Sequence, residues 1–411
     1  MAAKKVIAVV FGGRSVEHDV SVLTGLQFLE ALDPGKYTGL PVYVDPLGQW
    51  WTGDALANRN QYPVDANVNK SLTRLTLDLA TSATGYPRFQ AFQKGMLGEK
   101  RSEIPFDIII PAIHGSNGED GTLQGLLEFA GIPYAGCRSL GAAATMNKVF
   151  TKRSARAAEI KVLPELLLER PQKGVFVDPD HLKQSLKAAF GSEKYPLIVK
   201  PCNLGSSVGV GKADDMDALI GALMAAFRLD SEVLVEPFVS NLTEYNIAVR
   251  RDGDGSIQTS AIERPLRDAE LLDFKNKYLA GRKNGDPKLN PKLNSDPGEG
   301  MASLSRILNP EELTDTQEAF IRGSSEQIFD LFSLAGSVRV DFLCDGETGE
   351  LWLNEVNTIP GSFAYFLWEA ADPSLSFLAL TDAVIAEGFR LSAKRLGATD
   401  TGSGGATIFT K

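Results

Sequence analysis

The sequence predicts a mixed α/β protein that begins with a parallel sheet. Residues 6–11 are a continuous apolar run, mostly β-branched, which is typical of a strand buried on both faces of a parallel sheet. A glycine pair follows at 12–13, then a helical pattern over about residues 20–32 and a second apolar strand at 40–44. This order of strand, glycine turn, helix and strand is that of a βαβ unit. Residues 106–113 predict a further buried strand. We therefore expect a Rossmann-like N-terminal domain.

Length and charge limit the classes of function open to the chain. Its 411 residues and 44.3 kDa exceed what one small domain needs, so we expect two or three domains. The net charge of −10 and the isoelectric point near 5.1 argue against a general nucleic-acid or anionic-membrane surface. No apolar run approaches the roughly 18 residues that a membrane-spanning helix needs. The sequence therefore predicts no nucleic-acid partner and no membrane partner.

Cysteine usage predicts a reduced compartment. The chain has three cysteines, Cys137, Cys202 and Cys344, and none of them forms a CxxC pair. This is not the pattern of a disulfide framework, so we expect a cytoplasmic protein. The cysteines and the three histidines are too scattered to indicate a zinc site.

Glycine, proline and polar residues divide the chain into three predicted domains. The first covers residues 1–138 and includes a less regular segment, 45–104, that we interpret as partly an insertion. The second covers residues 139–232, and the third covers 233–411. Within the third, residues 271–300 are rich in glycine, proline, asparagine and lysine, which predicts a mobile loop of the kind that often covers a binding site.

The most informative stretch is a pair of strands near the C-terminus, joined by a turn at 345–346. Alternation of polar and apolar residues places Arg339 and Asp341 on one face of the first strand. The same alternation places Glu355 and Asn357 on one face of the second. Two carboxylates and an amide oxygen suit Mg²⁺, which prefers oxygen ligands and also accepts phosphate oxygens. The alternative is a solvated hairpin face, although such faces usually carry lysine, threonine or serine.

A second cluster combines a lysine with a glycine-rich loop. Lys200 ends an apolar strand, and glycines follow at positions 205, 209 and 211. The lysine offers a positive charge to phosphate, and the glycines allow backbone N–H groups to approach phosphate oxygens. The spacing is not that of a Walker A motif, and the loop alone is equally typical of a simple turn.

Two further polar loops follow predicted parallel strands, at the edge where open α/β sheets bind ligands. One loop contains Glu17 after the first strand, and the other contains His114 after the strand at 106–113. Each has a structural alternative. The histidine can be a packing residue, and the first loop can be a βα turn whose acids cap a helix.

Five motifs occur in order and cover most of the chain. They are residues 11–21 (FGGRSVEHDVS), 114–125 (HGSNGEDGTLQG), 200–209 (KPCNLGSSVG), 339–341 (RVD) and 354–361 (NEVNTIPG). Together they resemble the D-alanine–D-alanine ligase family of the ATP-grasp superfamily. The match is poor at 45–104 and 281–300. The resemblance implies that a two-part ATP-grasp module follows the N-terminal domain.

The resemblance also implies an ATP cleft between the second and third domains. The residues that would bind ATP are Lys148, Lys200, Ser207, Glu236, Pro237, Phe238, Val239, Glu244, Lys277, Asn354 and Glu355. The lysines would bind phosphates, residues 236–239 would line the adenine pocket, and Glu244 would reach the ribose. Asp341, Glu355 and Asn357 would hold a pair of Mg²⁺ ions, with Mn²⁺ as an alternative.

A set of substrate residues is implied in the same way. Glu17 would meet the ammonium group of the first substrate, and Ser206 and Tyr278 would form a hydrogen-bonded link with it. Arg339 and the Gly361 N–H would stabilise the tetrahedral oxyanion. The residues expected around the amino-acid substrates are Glu17, His114, Arg339, Gly361 and Ser362.

The activity that the resemblance implies is ATP-dependent ligation of two D-alanines through an acyl phosphate, for peptidoglycan precursors. The expected partners are small amino acids and ATP, and a homodimer is the family expectation. Two other functions stay open, a ligase with a different second amino acid and a non-catalytic ATP-binding regulator. Phe366 falls where the family has a serine that anchors the second substrate, so the second amino acid can differ from D-alanine. A hydroxy-acid acceptor is disfavoured by Tyr278, and a non-catalytic ATP-binding regulator would not need Arg339.

Overall fold

The apolar run near the N-terminus forms the strand on which the first sheet is built. The computed structural model describes residues 3–64, 70–80, 85–95, 98–172, 177–266 and 306–399. Strand β1 (Lys5–Gly12) pairs in parallel with β2 (Tyr37–Val44) and with β7 (Ile108–Pro111). Helix α1 (His18–Glu30) connects β1 to β2. The predicted βαβ unit and the parallel strand that follows it are confirmed.

The described part of segment 45–104 extends this sheet. It supplies four antiparallel strands: β3 (Trp50–Thr52), β4 (Thr73–Leu77), β5 (Arg88–Gly95) and β6 (Gly98–Pro105). Short 3₁₀ turns lie at Asp54–Ala57 and Arg59–Gln61. The strand order is β6-β5-β4-β3-β2-β1-β7, so the sheet is mixed and its parallel part is confined to one end.

The middle of the chain forms a smaller antiparallel sheet. After α2 (Thr122–Phe129), α3 (Ser139–Met146) and α4 (Lys148–Ala157), the strands are β8 (Leu166–Glu169), β9 (Leu197–Pro201), β10 (Gly211–Ala213) and β11 (Glu232–Pro237). Their order is β10-β9-β11-β8. Helices α5 (Pro179–Phe190) and α6 (Met216–Ala226) pack on this sheet through leucines such as Leu186 and Leu223.

A third, antiparallel sheet has five strands in the order β14-β13-β12-β15-β16. The strands are β12 (Leu242–Arg251), β13 (Ile257–Pro265), β14 (Arg306–Leu308), β15 (Val338–Asp345) and β16 (Leu351–Asn357). Helix α7 (Asp315–Leu331) begins with a capping box between Thr314 and Gln317. Its residues Ile328 and Phe329 pack against one face of the sheet, and this leaves the opposite face for polar side chains.

The chain ends by returning to the first sheet. A turn at Gly361–Ala364 leads into α8 (Tyr365–Glu369) and the long α9 (Phe377–Thr399). Helices α1 and α9 cover one face of the N-terminal sheet, and α2 covers the other. Helix α9 approaches the chain closely at Gly388, where an added Cβ would lie 2.8 Å from Ala135 Cα. None of the helices in the described part combines the length and the apolar character that a membrane-crossing segment needs.

Candidate functional site

The free face of the third sheet carries the polar residues that alternation predicted. In the β15–β16 pair, Arg339 lies opposite Asn357 and Asp341 lies opposite Glu355. Arg339 donates to both oxygens of Asp341, from Nε to Oδ1 at 2.6 Å and from Nη2 to Oδ2 at 2.7 Å. Asn357 Nδ2 donates to Asp341 Oδ2 at 2.9 Å. The structure therefore brings all four side chains together at one end of the hairpin.

Three of these four residues provide the donor set for the predicted metal. Asp341 and Glu355 offer carboxylate oxygens and Asn357 offers an amide oxygen, which are the ligands that a hard cation prefers. Within the described residues there is no group of three or more histidine, cysteine, aspartate and glutamate side chains that could hold a metal ion. The set therefore fits a cation whose remaining ligands come from phosphate or water, as is usual for Mg²⁺.

Buried charges lie beside this hairpin on β9, β11 and α4. The Glu236 carboxylate is 1% exposed and contacts two lysines, Lys200 at 2.6 Å and Lys152, which is also 1% exposed. Lys152 also donates to the Leu163 carbonyl at 3.2 Å, and Lys200 donates to Asn354 Oδ1 at 3.2 Å. Glu236 and Asn354 together hold the Lys200 ammonium group beside the hairpin, where it can meet an anion.

Burial affects both lysines. It lowers the pKa of Lys152 well below its ordinary value. It also lowers the pKa of Lys200 to about 8, with Lys148 acting in the same direction and Glu355 against it. Sequence reasoning missed Lys152. The available signal was its position four residues after Lys148 on α4, which places the two lysines on one helix face.

Lys148 lies between the glycine-rich loop and the hairpin. Its Nζ donates to the Leu204 carbonyl at 2.6 Å and lies 3.5 Å from Glu355 Oε2. It is the first residue of α4, and the side chain of Asn147 caps that helix by accepting the Phe150 N–H. Lys148 and Lys200, both predicted to bind phosphate, are thus brought to the same hairpin.

The loop after β9 reaches across to the N-terminal domain. Ser206 and Ser207 adopt left-handed backbone conformations, with φ of 51° and 58°. The Ser206 hydroxyl donates to Glu17, whose carboxylate is buried. One half of the predicted link between Glu17, Ser206 and Tyr278 is therefore present, whereas Tyr278 lies outside the described residues.

Glycine is required where the second polar loop meets Glu17. Gly115 has a φ of +69°, and an added Cβ would lie 2.3 Å from Glu17 Oε2 and 2.8 Å from Ser15 Oγ. Neither distance is sterically allowed, so a side chain at position 115 would displace the Glu17 carboxylate.

Glu119 joins the same loop to the third domain, and sequence reasoning did not single it out. Its carboxylate accepts the N–H of Gly115 and the N–H of Ile359, both at 2.9 Å. Burial and the neighbouring Glu17 raise the pKa of Glu119 to about 8, whereas the two N–H donors oppose that shift. The signal for Glu119 was its position in the Gly-Glu-Asp-Gly motif.

His114 is buried beside Arg339. Its Nε2 lies 2.8 Å from Thr24 Oγ1, and its backbone N–H donates to Ser21 Oγ at 2.8 Å. Burial, together with the positive charge of Arg339, lowers the pKa of His114 to about 3. The imidazole is therefore neutral at physiological pH and can offer one donor and one acceptor.

The remaining predicted nucleotide residues lie at and after the end of β11. Pro237, Phe238 and Val239 are half-buried, and Lys212 Nζ lies 4.9 Å from the centroid of the Phe238 ring. Glu244 on β12 is half-buried, and its charge raises the pKa of Lys200 against the larger effect of burial. Lys277 and the predicted loop 271–300 lie outside the described residues.

The turn after Pro360 separates two predicted substrate residues. Gly361 lines the cleft, whereas Ser362 is buried, and its hydroxyl donates to Gln27 Oε1. Among the aromatics that follow, Phe363 packs on Phe28 with ring centroids 4.9 Å apart, inside the N-terminal core. The structure does not place Ser362 among the residues that line the cleft.

These elements enclose one cleft between the N-terminal domain and the two smaller sheets. The residues that line it are Glu17, His114, Glu119, Thr145, Met146, Lys148, Gly205, Ser206, Arg339, Glu355, Val356, Asn357, Thr358, Ile359, Pro360 and Gly361. Lys148 and Arg339 place positive charge in the cleft, and the buried Glu17 carboxylate lies at its N-terminal wall. This arrangement can hold a polyanion next to a small molecule that carries an ammonium group.

Comparisons with family models and with known proteins all indicate the same family. A family model described as D-ala D-ala ligase N-terminus matches residues 6–137, and one described as D-ala D-ala ligase C-terminus matches residues 167–386. The chain is 30% identical over 400 residues to the D-alanine–D-alanine ligase of Thermosipho melanesiensis, covering 96% of this chain and 97% of that protein. The corresponding ligase of Ruminiclostridium cellulolyticum is 33% identical over 360 residues, covering 87% and 88%.

Solved structures agree with this assignment. The D-alanine-D-alanine ligase from Coxiella burnetii has a TM-score of 0.73 at 24% identity and covers 97% of both chains, which shows the common fold. The VanG D-Ala:D-Ser ligase from Enterococcus faecalis has a TM-score of 0.71 at 26% identity, covering 94% of this chain and 100% of that one.

The burial of His114 leads to a pH-dependent stability. The unfolded imidazole takes up a proton near pH 6.5, whereas the folded one stays neutral down to about pH 3. The unfolded state therefore binds more protons in this window, and stability falls as the pH falls. For this group the loss between about pH 7 and about pH 5 is about 2 kcal/mol. Urea unfolding at both pH values measures this loss of unfolding free energy. In His114→Gln the loss should be smaller than in the wild type by about 2 kcal/mol, because glutamine takes up no proton. Equal losses in the two proteins would contradict a neutral His114.

Proposed function

The chain belongs to the D-alanine–D-alanine ligase family, and we propose that it joins two D-alanines to D-alanyl-D-alanine at the expense of ATP. The reaction passes through an acyl phosphate, and its product serves peptidoglycan precursor synthesis. One observation carries this proposal: a single cleft is lined by Lys148, by Arg339 and by the Glu17 carboxylate. A ligase needs this combination, because it must hold a polyphosphate and an amino acid against each other.

In the proposed first step, Glu17 binds the ammonium group of the donor D-alanine, and its contact with Ser206 fixes the carboxylate. A donor carboxylate oxygen attacks the γ-phosphorus of ATP. The new O–P bond forms as the bond to the departing ADP breaks. Lys148 and Lys200 hold the phosphates, because both ammonium groups lie beside the β15–β16 hairpin, at Glu355 and at Asn354. Residues 236–239 and Glu244 are the proposed adenine and ribose contacts.

The metal ligands are proposed from the hairpin. Asp341, Glu355 and Asn357 would hold a divalent cation, and we propose a pair of Mg²⁺ ions with Mn²⁺ as an alternative. When bound, the cation neutralises phosphate charge during transfer. Arg339 and Asn357 orient the Asp341 carboxylate through three hydrogen bonds.

In the proposed second step, the amine of the acceptor attacks the carbonyl carbon of the acyl phosphate. The tetrahedral oxyanion is stabilised by Arg339 and by the N–H of Gly361. The oxyanion collapses, the C–O bond to phosphate breaks, and the amine loses a proton. The neutral His114 lies beside Arg339 and offers a hydrogen bond to the substrate without adding a second positive charge.

D-Alanine is the preferred acceptor, and two alternatives are weaker. A different second amino acid was suggested by Phe366, and Ser362 was expected beside the amino-acid substrates. The Ser362 hydroxyl is already bonded to Gln27 in the core, so the observation behind that alternative is weakened. A non-catalytic ATP-binding protein would not need Arg339 and a buried Glu17 in the same cleft.

The activity is tested by product analysis. Purified protein with ATP, Mg²⁺ and D-alanine should form D-alanyl-D-alanine and phosphate in equal amounts, and L-alanine should give neither product. Parallel reactions with D-serine, glycine or D-lactate as second substrate measure acceptor selectivity. Phosphate release that does not depend on D-alanine, or release without dipeptide, would exclude the proposed ligation.

The metal ligands are tested with Glu355→Gln, which removes one carboxylate and preserves its size. Turnover should fall roughly a hundredfold or more, because the charge on the transferring phosphoryl group is no longer balanced. Binding of Mn²⁺ in the presence of ADP, followed by electron paramagnetic resonance, should weaken as well. Glu350→Gln, on the same hairpin and paired with Lys161 at the surface, is the matched control. Unchanged Mn²⁺ binding in a folded Glu355→Gln protein would remove the metal assignment.

A further inference from the structure

An arginine on the edge strand β14 lies on the free face of the third sheet, the face that carries Arg339 and Asp341. Cross-strand partners lie on the same face, and Arg306 lies opposite Pro265, two residues from Glu263. Glu263 lies opposite Asn246, and Asn246 lies opposite Asp341. A polar row thus runs from Asp341 across the sheet to the strand that carries Arg306.

Arg306 holds its guanidinium over an aromatic ring and beside a carboxylate. The Cζ atom lies 3.9 Å from the centroid of the Phe366 ring, and Nη1 lies 3.2 Å from Glu263 Oε1. The side chain of Arg306 is 9% exposed, and that of Glu263 is 7% exposed. A planar guanidinium stacked on a ring is pre-organised for bidentate hydrogen bonding at its edge.

Arg306 also lies within electrostatic range of Arg339. Burial lowers the pKa of Arg306, Glu263 opposes that shift, and the positive charge of Arg339 adds to it. Arg306 remains a cation at any physiological pH, because arginine is not deprotonated in proteins. Phe366, whose ring contacts Arg306, is the second residue of α8 and follows the cleft residue Gly361 by five positions.

The proposed reaction needs a second cation for chemical reasons. The donor carboxylate is converted to an acyl phosphate, but the acceptor keeps its own carboxylate, which must be held away from the reacting carbon. Arg339 is engaged with Asp341 through both of its edge nitrogens and is assigned to the oxyanion. Arg306 has no oxyanion role, and its contact with Glu263 through Nη1 does not prevent a second carboxylate contact, because a guanidinium has five N–H donors in one plane.

Resting on the proposed function, we infer that Arg306 binds the α-carboxylate of the acceptor amino acid, with Phe366 and Glu263 fixing the guanidinium. Arg306 is then a specificity residue for an acceptor that carries a carboxylate. Phe366 has a function of its own here, because it forms the platform for the arginine and does not bond the substrate directly.

The other interpretation is that Arg306 only ties the edge strand to Glu263. The two interpretations differ in one respect. A structural ion pair affects all acceptors alike, whereas a carboxylate contact is lost when the acceptor has no carboxylate. D-Alanine amide supplies this comparison, because it has the same amine and side chain and cannot act as a donor.

The experiment is a competition in one reaction. The enzyme receives ATP, Mg²⁺, D-alanine and D-alanine amide, and mass spectrometry measures the ratio of D-alanyl-D-alanine to its amide. Arg306→Met should lower this ratio roughly tenfold or more, since a hydrogen bond to a charged group is lost. The ratio does not depend on ATP binding, on formation of the acyl phosphate or on the fraction of folded enzyme, because both acceptors compete for one intermediate.

The matched control is Arg251→Met. Arg251 lies on β12, pairs with Asp330 at 2.9 Å and lies 5.6 Å from the Phe329 ring, on the face covered by α7. Its substitution removes an arginine, an ion pair and a ring contact from the same sheet, and the product ratio should stay at the wild-type value. Arg306→Lys retains the charge and loses the planar fork, so it should give an intermediate ratio.

The outcomes separate the two proposals. If the wild-type protein makes no dipeptide, the proposed function fails. If it makes dipeptide and Arg306→Met leaves the ratio unchanged, the function stands and the assignment of Arg306 is overturned. If Arg306→Met makes neither product, Arg306→Lys decides, and a wild-type ratio in that variant overturns the assignment.

Discussion

The chemistry of the cleft depends on the register in which β15 and β16 pair. Asp341 lies opposite Glu355, and Arg339 lies opposite Asn357. A slip of β16 by one residue would turn Glu355 and Asn357 away from the face that carries Arg339 and Asp341. The apolar residues between them prevent this, because Val340 and Phe342 are fully buried on the side of α7. The core of the third sheet therefore places the proposed metal ligands and the oxyanion cation.

A second constraint is that the cleft belongs to three parts of the chain at once. Glu17 from the first domain meets Ser206 from the second, and Glu119 accepts the N–H of Ile359 from the third. Helix α9 returns to pack on the N-terminal sheet, so the first and last parts of the chain share one core. The residues proposed to bind the donor and those proposed to bind the phosphates are thus joined by direct contacts between different parts of the chain.

Local sequence patterns predicted the features that depend only on neighbouring residues, such as strands and the faces of their side chains. Alternation identified the face that carries Arg339 and Asp341, and the apolar run identified β1, because both follow from the period of a strand. Lys152 was missed because the carboxylate that it binds, Glu236, lies 84 positions away in the sequence. Ser362 was expected in the cleft, but three consecutive left-handed residues turn this segment into the core. No local pattern encodes contacts of that kind. The short antiparallel strands in 45–104 were missed for a related reason, since their stability comes from the sheet that they extend.

The central claim is that the donor carboxylate attacks phosphorus, and the fate of its oxygen tests this most directly. D-Alanine labelled with oxygen-18 in the carboxylate is converted to dipeptide with unlabelled ATP, and the released phosphate is analysed by mass spectrometry. Transfer through an acyl phosphate leaves one labelled oxygen in the phosphate for each dipeptide formed, because the C–O bond to that oxygen breaks in the second step. Unlabelled phosphate, or label recovered in AMP, would contradict the account.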